Sequence, residues 1–93
     1  MMFTKRLREA VSRGEVTCSV RIWQSARVKA GGRYRTGFGV IEVLSVREIA
    51  LRDITPELAR RSGFSSLVDL LKIAKHGPGE RVFLVEFEFL GEA

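Results

Sequence analysis

The sequence predicts an α+β fold, a small and mostly antiparallel β-barrel with one helix before it and two helices ahead of its last strand. The patterns run in the order helix, strand, basic loop, two or three strands, two helices, strand. The chain has 93 residues, which makes one domain (1–93) and is too short for repeated parallel crossover units. Its 45% hydrophobic and 29% charged residues are typical of globular proteins and argue against disorder.

The first helix is expected at residues 2–13. Phe3, Leu7 and Val11 recur there at helical spacing, and charged side chains occupy the other faces. Gly14 supplies the C-terminal stop signal. This segment lacks the apolar stretch of a signal peptide, and no run approaches the roughly 18 apolar residues of a membrane helix. We therefore expect a cytoplasmic protein with no membrane partner.

The next element is a strand from Val16 to Trp23, rich in β-branched residues that alternate with polar ones. Alternate side chains of a strand point to opposite faces, so its apolar residues should face the core. The other face carries Thr17, Ser19 and Arg21 in a row. We expect this row to be exposed to solvent.

The middle of the chain is predicted as a loop followed by strands. A polar loop runs from Gln24 to Gly32, and its glycines indicate a turn. A strand begins at Arg33–Thr36 and is interrupted at Gly37–Gly39, where a turn or bulge is expected. The residues from Val40 to Leu51 then form one long or bent strand.

Two helices are predicted before the last strand. Thr55 is a candidate N-cap, Pro56 suits the first helical position, and Gly63 ends the first of the two helices. Either Ser65 or Ser66 caps the second. The chain then turns at Pro78 and Gly79.

The last strand is expected from Arg81 to Leu90. Phe83, Phe87 and Phe89 fall on one face of it and glutamates on the other, so the phenylalanine face should be buried. We find no internal repeat and no linker, which agrees with one domain.

The net charge of +5 is unevenly distributed. Residues 1–40 hold nine basic and two acidic side chains, whereas residues 41–93 hold seven basic and nine acidic ones. A basic first half favours an anionic partner such as nucleic acid or a nucleotide. The alternative is that the arginines only make this surface soluble.

Familiar catalytic and metal-binding patterns are missing from the sequence. There is no phosphate-loop signature, no nucleophile elbow and no zinc-ligand spacing, so we expect neither a metal nor a cofactor. The single cysteine, Cys18, is expected to be a buried and unreactive thiol. His76 is expected at a helix C-terminus, where it interacts with the helix dipole.

The segment from Gly14 to Arg21 combines two hydroxyls with a guanidinium, groups that can bind a phosphate or a base edge. It resembles the marker of ASCH domains, relatives of the PUA-like barrels: a glycine, a lysine two further on, an acid or hydroxyl three later, and an arginine two after that. Gly14, Ser19 and Arg21 occupy the first, third and fourth places, and Val16 stands at the lysine place. The resemblance covers about Phe3 to Leu90 and points to the small bacterial single-domain type.

The resemblance implies a PUA-like fold that binds RNA or nucleotides in a cleft beside this motif. One bacterial branch hydrolyses the amide of acetylated cytidine with the motif lysine, a hydroxyl and a helical glutamate. Val16 can neither carry charge nor accept a proton, and Arg60, Arg61, Ser62 and Gly63 lie where the glutamate is expected. Our first hypothesis is therefore an RNA- or nucleotide-binding domain without hydrolase activity.

The expected contacts to RNA or to a nucleoside or nucleotide ligand come from the motif strand and the basic residues that follow it. Trp23 could stack on a base, although a core position is an equally good interpretation. The candidate binding residues are Thr17, Ser19, Arg21, Trp23, Arg27, Lys29, Arg33 and Arg35.

Two other functions stay open at this point. One is an amidohydrolase acting on N(4)-acetylcytidine-type nucleosides, or a ribonuclease, with Ser19 as the candidate catalytic residue and Glu57, Asp69 or Lys29 as possible helpers. The other is a module that recruits a protein partner through an exposed edge strand. The oligomeric state is left undetermined.

Overall fold

The computed structural model describes residues 2–74 and 80–92. Its centre is a four-stranded antiparallel sheet in the order β1-β4-β3-β2. The strands are β1 (Cys18–Trp23), β2 (Arg33–Arg35), β3 (Val40–Ile49) and β4 (Arg81–Gly91). The helices are a 3₁₀ turn (Lys5–Leu7) that leads into α1 (Arg8–Ser12), a second 3₁₀ turn (Leu51–Asp53), α2 (Pro56–Arg61) and α3 (Leu67–Ala74).

The predicted α+β class and the antiparallel sheet are confirmed, but the sheet is open and the predicted barrel is wrong. β1 and β2 are the two edges of the sheet and do not pair with each other. The physical reason lies in β2, which is only three residues long and bonds to one end of β3. A strand this short cannot also reach across to β1.

The predicted long, bent strand is confirmed as β3. Its pairing with β4 shifts register between Val43 and Ser45, so Leu44 bulges out of the ladder and is 53% exposed. The glycines before β3 lie in the hairpin that joins it to β2, where the Thr36 N–H donates to the carbonyl of Gly39 at 2.9 Å. The expected turn is therefore present there.

Both faces of the sheet are covered around β1. On one face Cys18 contacts Ser62 at the end of α2, with their side-chain Sγ and Oγ atoms 3.6 Å apart, and α3 packs on the same strand. On the other face the Phe3 ring packs against the Phe87 ring of β4, with centroids 5.3 Å apart. A strand between two covering layers has no side open to water, and five of the six β1 residues are buried.

The predicted helices are present, but the residues at which they begin and end differ from the prediction. The first helix begins at Lys5 and not at Met2, because Thr4 is extended (φ −61°, ψ 151°). The Thr55 hydroxyl accepts from the Leu58 N–H at 3.1 Å, which confirms the predicted cap of α2. Ser66 accepts from the Asp69 N–H at 3.1 Å and so caps α3.

The predictions for His76 and for the turn at residues 78–79 fall outside the described residues. Within residues 2–74 and 80–92, no helix is long and apolar enough to cross a membrane.

Candidate functional site

The predicted row of polar side chains on β1 is not an exposed face. Thr17 is exposed, but Ser19 is only 9% exposed and Arg21 is half-buried. The prediction of a solvent-exposed row is therefore wrong for Ser19 and Arg21. The reason is that Met2 and Phe3 lie across this side of the strand.

Arg21 is held by three contacts from this covering layer and from its own strand. Its Nε donates to the Ser19 hydroxyl at 2.7 Å, and one terminal nitrogen donates to the Met2 carbonyl at 2.6 Å. Its guanidinium carbon lies 5.1 Å from the centroid of the Phe3 ring, a cation–π distance. All three partners are uncharged.

No carboxylate forms an ion pair with Arg21 within residues 2–74 and 80–92. Burial lowers the pKa of Arg21 to about 10, so the side chain is still a cation at neutral pH. Only two of the five N–H donors of a guanidinium are used in these contacts. Arg21 is therefore a partly desolvated positive charge with spare donors and no counter-ion in the described part of the chain.

An open cleft of about 440 Å³ lies beside the start of the same motif, and we call it the Thr17 cleft. It combines hydroxyls and a guanidinium with aromatic surface and one carboxylate. Its lining residues are Ser12, Arg13, Gly14, Thr17, Leu44, Phe87, Glu88 and Phe89. The Phe3 ring connects it to Arg21, because that ring contacts both Phe87 and the Arg21 guanidinium.

The charge of the Thr17 cleft is mixed. Arg13 forms ion pairs with Glu9 and with Glu15, the latter at 3.8 Å. Glu88 adds a negative charge to the lining. The cleft is therefore not a strongly basic groove, and its most useful features for a ligand are its hydroxyls and rings.

Two of the predicted basic residues, Arg33 and Arg35, lie on β2, at the opposite edge of the sheet from β1. Hydrogen bonds and strand register place Thr17, Phe87, Val43 and Gly32 in one row across the sheet. The two ends of this row are three strand spacings apart. At roughly 4.8 Å per spacing, the distance between them is about 14 Å. A ligand that touches both ends must be longer than a single phosphate group.

The loop that carries Arg27 and Lys29 is tied to the sheet by backbone contacts. The Lys29 N–H donates to the Tyr34 hydroxyl at 2.9 Å, and the Gly31 N–H donates to the Val43 carbonyl at 2.7 Å. The side chains of Arg27 and Lys29 are exposed and form no ion pair within the described chain. They are available to meet an anionic backbone.

The other two predicted basic residues are exposed on β2. Arg33 forms an ion pair with Glu42 at 3.1 Å. Arg35 lines a second cleft, of about 340 Å³, together with Gly37, Phe38, Gly39 and Glu92. The structure therefore does not bring the eight predicted residues into one pocket.

Trp23 takes the core position that the sequence left open. It is 3% exposed and packs on Phe83 with ring centroids 5.8 Å apart. An indole buried to this extent offers no face to a base, so the stacking interpretation of Trp23 is wrong.

Within residues 2–74 and 80–92, no contact of the candidate hydrolase residues supplies Ser19 with a general base. The Ser19 hydroxyl bonds to a guanidinium, which cannot act as a general base. Val16, at the lysine place, is 5% exposed in the core. Asp69 is paired with Arg6 at 2.5 Å, which lowers its pKa, and Glu57 is exposed in the first turn of α2.

The thiol of Cys18 is buried, and burial raises its pKa above the ordinary 9.0. This agrees with the expected unreactive cysteine. In the part of the chain that the structure describes, no three His, Cys, Asp or Glu side chains come together as a metal site.

Sequence reasoning missed Met2 and Phe3, the two residues that cover Arg21. The helical spacing of Phe3 with Leu7 and Val11 assigns it to the first helix and gives no sign of its contact with Arg21. Met2 contributes a backbone carbonyl, which has no sequence signature. Comparisons with protein-family models, curated proteins and solved structures return no match.

Proposed function

We propose that this domain binds RNA or a nucleotide, with the Arg21 guanidinium at a phosphate group. The observation that carries the proposal is the half-buried positive charge of Arg21, which has no carboxylate partner in the described chain. Burying a charge without a counter-ion costs free energy, and an anionic ligand supplies what is missing. A guanidinium matches a phosphate especially well, because two parallel N–H donors can reach two oxygens.

The surroundings of Arg21 favour a nucleotide or RNA over a small inorganic anion. The Thr17 cleft has a volume in the range of about 300–1,000 Å³ that small-molecule sites occupy, and it offers the hydroxyls of Ser12 and Thr17 beside aromatic rings. The exposed Arg27 and Lys29 can contact further phosphates of a longer strand. The resemblance of Gly14, Ser19 and Arg21 to the ASCH marker supports the same function.

We place the domain among binding modules and not among hydrolases, because the described residues put a guanidinium at the Ser19 hydroxyl and Val16 is packed in the core. Recruitment of a protein through an edge strand has less support. β1 is covered along its length, and β2 is only three residues long, so neither edge is a long exposed strand.

The test measures binding of labelled single-stranded RNA, hairpin RNA, duplex DNA and cytidine monophosphate at low and moderate salt. Arg21→Met keeps the length of the side chain but removes its charge, and Arg60→Met, on the exposed surface of α2, is the matched control. We expect Arg21→Met to weaken RNA binding by about tenfold or more, the loss of one charge-assisted contact, and Arg60→Met by less than about twofold.

Binding of the unmodified protein should also weaken as salt rises, since phosphate contacts release counter-ions. Equal losses in the two variants would reject Arg21 as the phosphate site. Turnover of N(4)-acetylcytidine that disappears in Ser19→Ala would replace the proposal with the hydrolase function.

A further inference from the structure

The first described residues of the chain occupy the position where a ligand of Arg21 would bind. We call Met2–Thr4 the N-terminal lid. The Met2 carbonyl accepts a hydrogen bond from a terminal nitrogen of Arg21 at 2.6 Å, and the Phe3 ring covers the guanidinium at 5.1 Å. The lid therefore gives Arg21 a neutral carbonyl oxygen where a nucleotide would bring an anionic phosphate oxygen, and a phenyl ring where it would bring an aromatic base.

The Phe3 ring of the lid packs against the aromatic rings of Phe87 and Phe38. The Phe3 ring lies 5.3 Å from the ring of Phe87 and 6.2 Å from that of Phe38, measured between centroids. Phe87 also lines the Thr17 cleft, so removal of Phe3 would join that cleft to Arg21. The joined space would have aromatic walls and a cation at one end, as a base with its phosphate requires.

Two polar groups reduce the stability of the closed lid relative to the open one. The Thr4 hydroxyl is buried and has no hydrogen-bond partner among the described residues, although a buried hydroxyl normally has one. Arg21 is desolvated by the same segment without gaining a counter-ion from the part of the chain that the structure describes. Opening of the lid would return the hydroxyl to water and free Arg21 for an anion, whereas closure gains the burial of Phe3.

The lid can move without unfolding the helix behind it. Regular structure begins at Lys5, and Thr4 is extended. Leu7 and Val11 are buried, and Arg6 is paired with Asp69 of α3 at 2.5 Å, so the helix has anchors of its own. A change at the Thr4 backbone is enough to move Met2 and Phe3.

We propose that the N-terminal lid competes with the anionic ligand for Arg21, so that RNA or a nucleotide binds only when Met2 and Phe3 have left the site. This inference rests on the proposed function and adds its regulation. The apparent affinity is then the intrinsic affinity reduced by the fraction of molecules whose lid is open. Substitutions in the lid that never touch the ligand should change that fraction.

Two lid variants should move affinity in opposite directions. Thr4→Val keeps the shape of the side chain and removes the unpartnered hydroxyl, so it should favour the closed lid, raise the melting temperature and weaken binding of a labelled single-stranded RNA octamer about fivefold. Phe3→Ala should favour the open lid and tighten binding by a similar factor. Phe64→Ala removes a buried ring outside the lid and is the control for general loosening of the fold.

Hydrogen exchange of the N-terminal peptide, measured by mass spectrometry with and without the octamer, reports the lid directly. We expect its exchange to rise when RNA binds. Slower exchange on binding would overturn the proposal, because the lid would then close over the ligand. So would octamer binding that is the same in wild type, Thr4→Val and Phe3→Ala, although the proposed function would stand. If neither wild type nor Phe3→Ala binds the octamer or cytidine monophosphate, both proposals are rejected.

Discussion

Gly63→Ala, compared with Gly14→Ala, tests how the N-terminal helix docks onto the rest of the domain. Both glycines follow a helix and have positive φ, +92° at Gly63 and +76° at Gly14. They differ in their surroundings. A Cβ atom at Gly63 would lie 2.5 Å from Leu7 Cδ2 and 3.1 Å from Val16 Cγ2, whereas a Cβ at Gly14 would have no neighbour within 4 Å.

The expected losses follow from these two geometries. A residue other than glycine in the left-handed region costs about 1–2 kcal/mol, and this applies to both positions. Overpacking of a filled site costs about a further 1–3 kcal/mol, and this applies only to Gly63. We therefore expect Gly63→Ala to lower the free energy of unfolding by roughly 2 kcal/mol more than Gly14→Ala.

Urea unfolding followed by the fluorescence of Trp23, the single tryptophan, measures both variants in the same way. In a Leu7→Ala background, Gly63→Ala should cost less than it does in wild type, because the atom nearest to the new methyl group is then gone. If the two glycine variants lose the same stability, the helix does not pack on the turn between α2 and α3, and the reasoning fails.

Three further predictions concern a helix cap, a buried thiol and the basic loop. Thr55→Ala should cost about 1 kcal/mol in urea unfolding and Thr55→Ser much less, because only the alanine variant loses the bond to the Leu58 N–H. Burial raises the pKa of Cys18 above 9.0, so the folded state retains this proton while the unfolded state loses it. Stability should therefore fall as pH rises past about 9, with a shallower slope in Cys18→Ala, and an identical slope would contradict the burial argument. Tyr34→Phe removes the acceptor of the Lys29 N–H and should speed hydrogen exchange of the basic loop with no change in charge.

The sequence predicts the elements of this fold well where local signals are strong. The cap at Thr55 and the hairpin glycines each correspond to an observed feature, whereas the alternation predicted for β4 holds only in its second half, because Val82 and Leu84 are buried as well as Phe83 and Val85. Closure of the sheet into a barrel does not follow from local sequence signals. It depends on whether β2 is long enough to pair a second time, and the pattern at Arg33–Thr36 predicts a strand without showing how far its pairing extends.

The candidate site is harder to predict for a related reason. The alternation rule for β1 assumes that one face of a strand is wet, and it therefore places Ser19 and Arg21 in solvent. In a domain this small, the few residues before the first helix are enough to cover that face. Whether they do so depends on the packing of Phe3 against Phe87 and Phe38, a contact between distant parts of the chain that no local pattern shows.

Stability and RNA binding measured on the same Arg21 variant separate a role of this side chain in folding from a role in binding. A side chain that served only packing would not need a charge, since even a buried ion pair can often be replaced by apolar residues of similar volume with no loss or with a gain of about 1–4 kcal/mol. Arg21→Met keeps a long apolar stem against Phe3 and loses two hydrogen bonds to neutral oxygens. We therefore expect its free energy of unfolding to stay within about 1 kcal/mol of wild type, because the relieved desolvation offsets the lost bonds. Its RNA binding should fall by about tenfold or more. A variant that loses several kcal/mol of stability and little affinity would show that the guanidinium serves to fasten Met2 and Phe3, and that the anion site lies elsewhere.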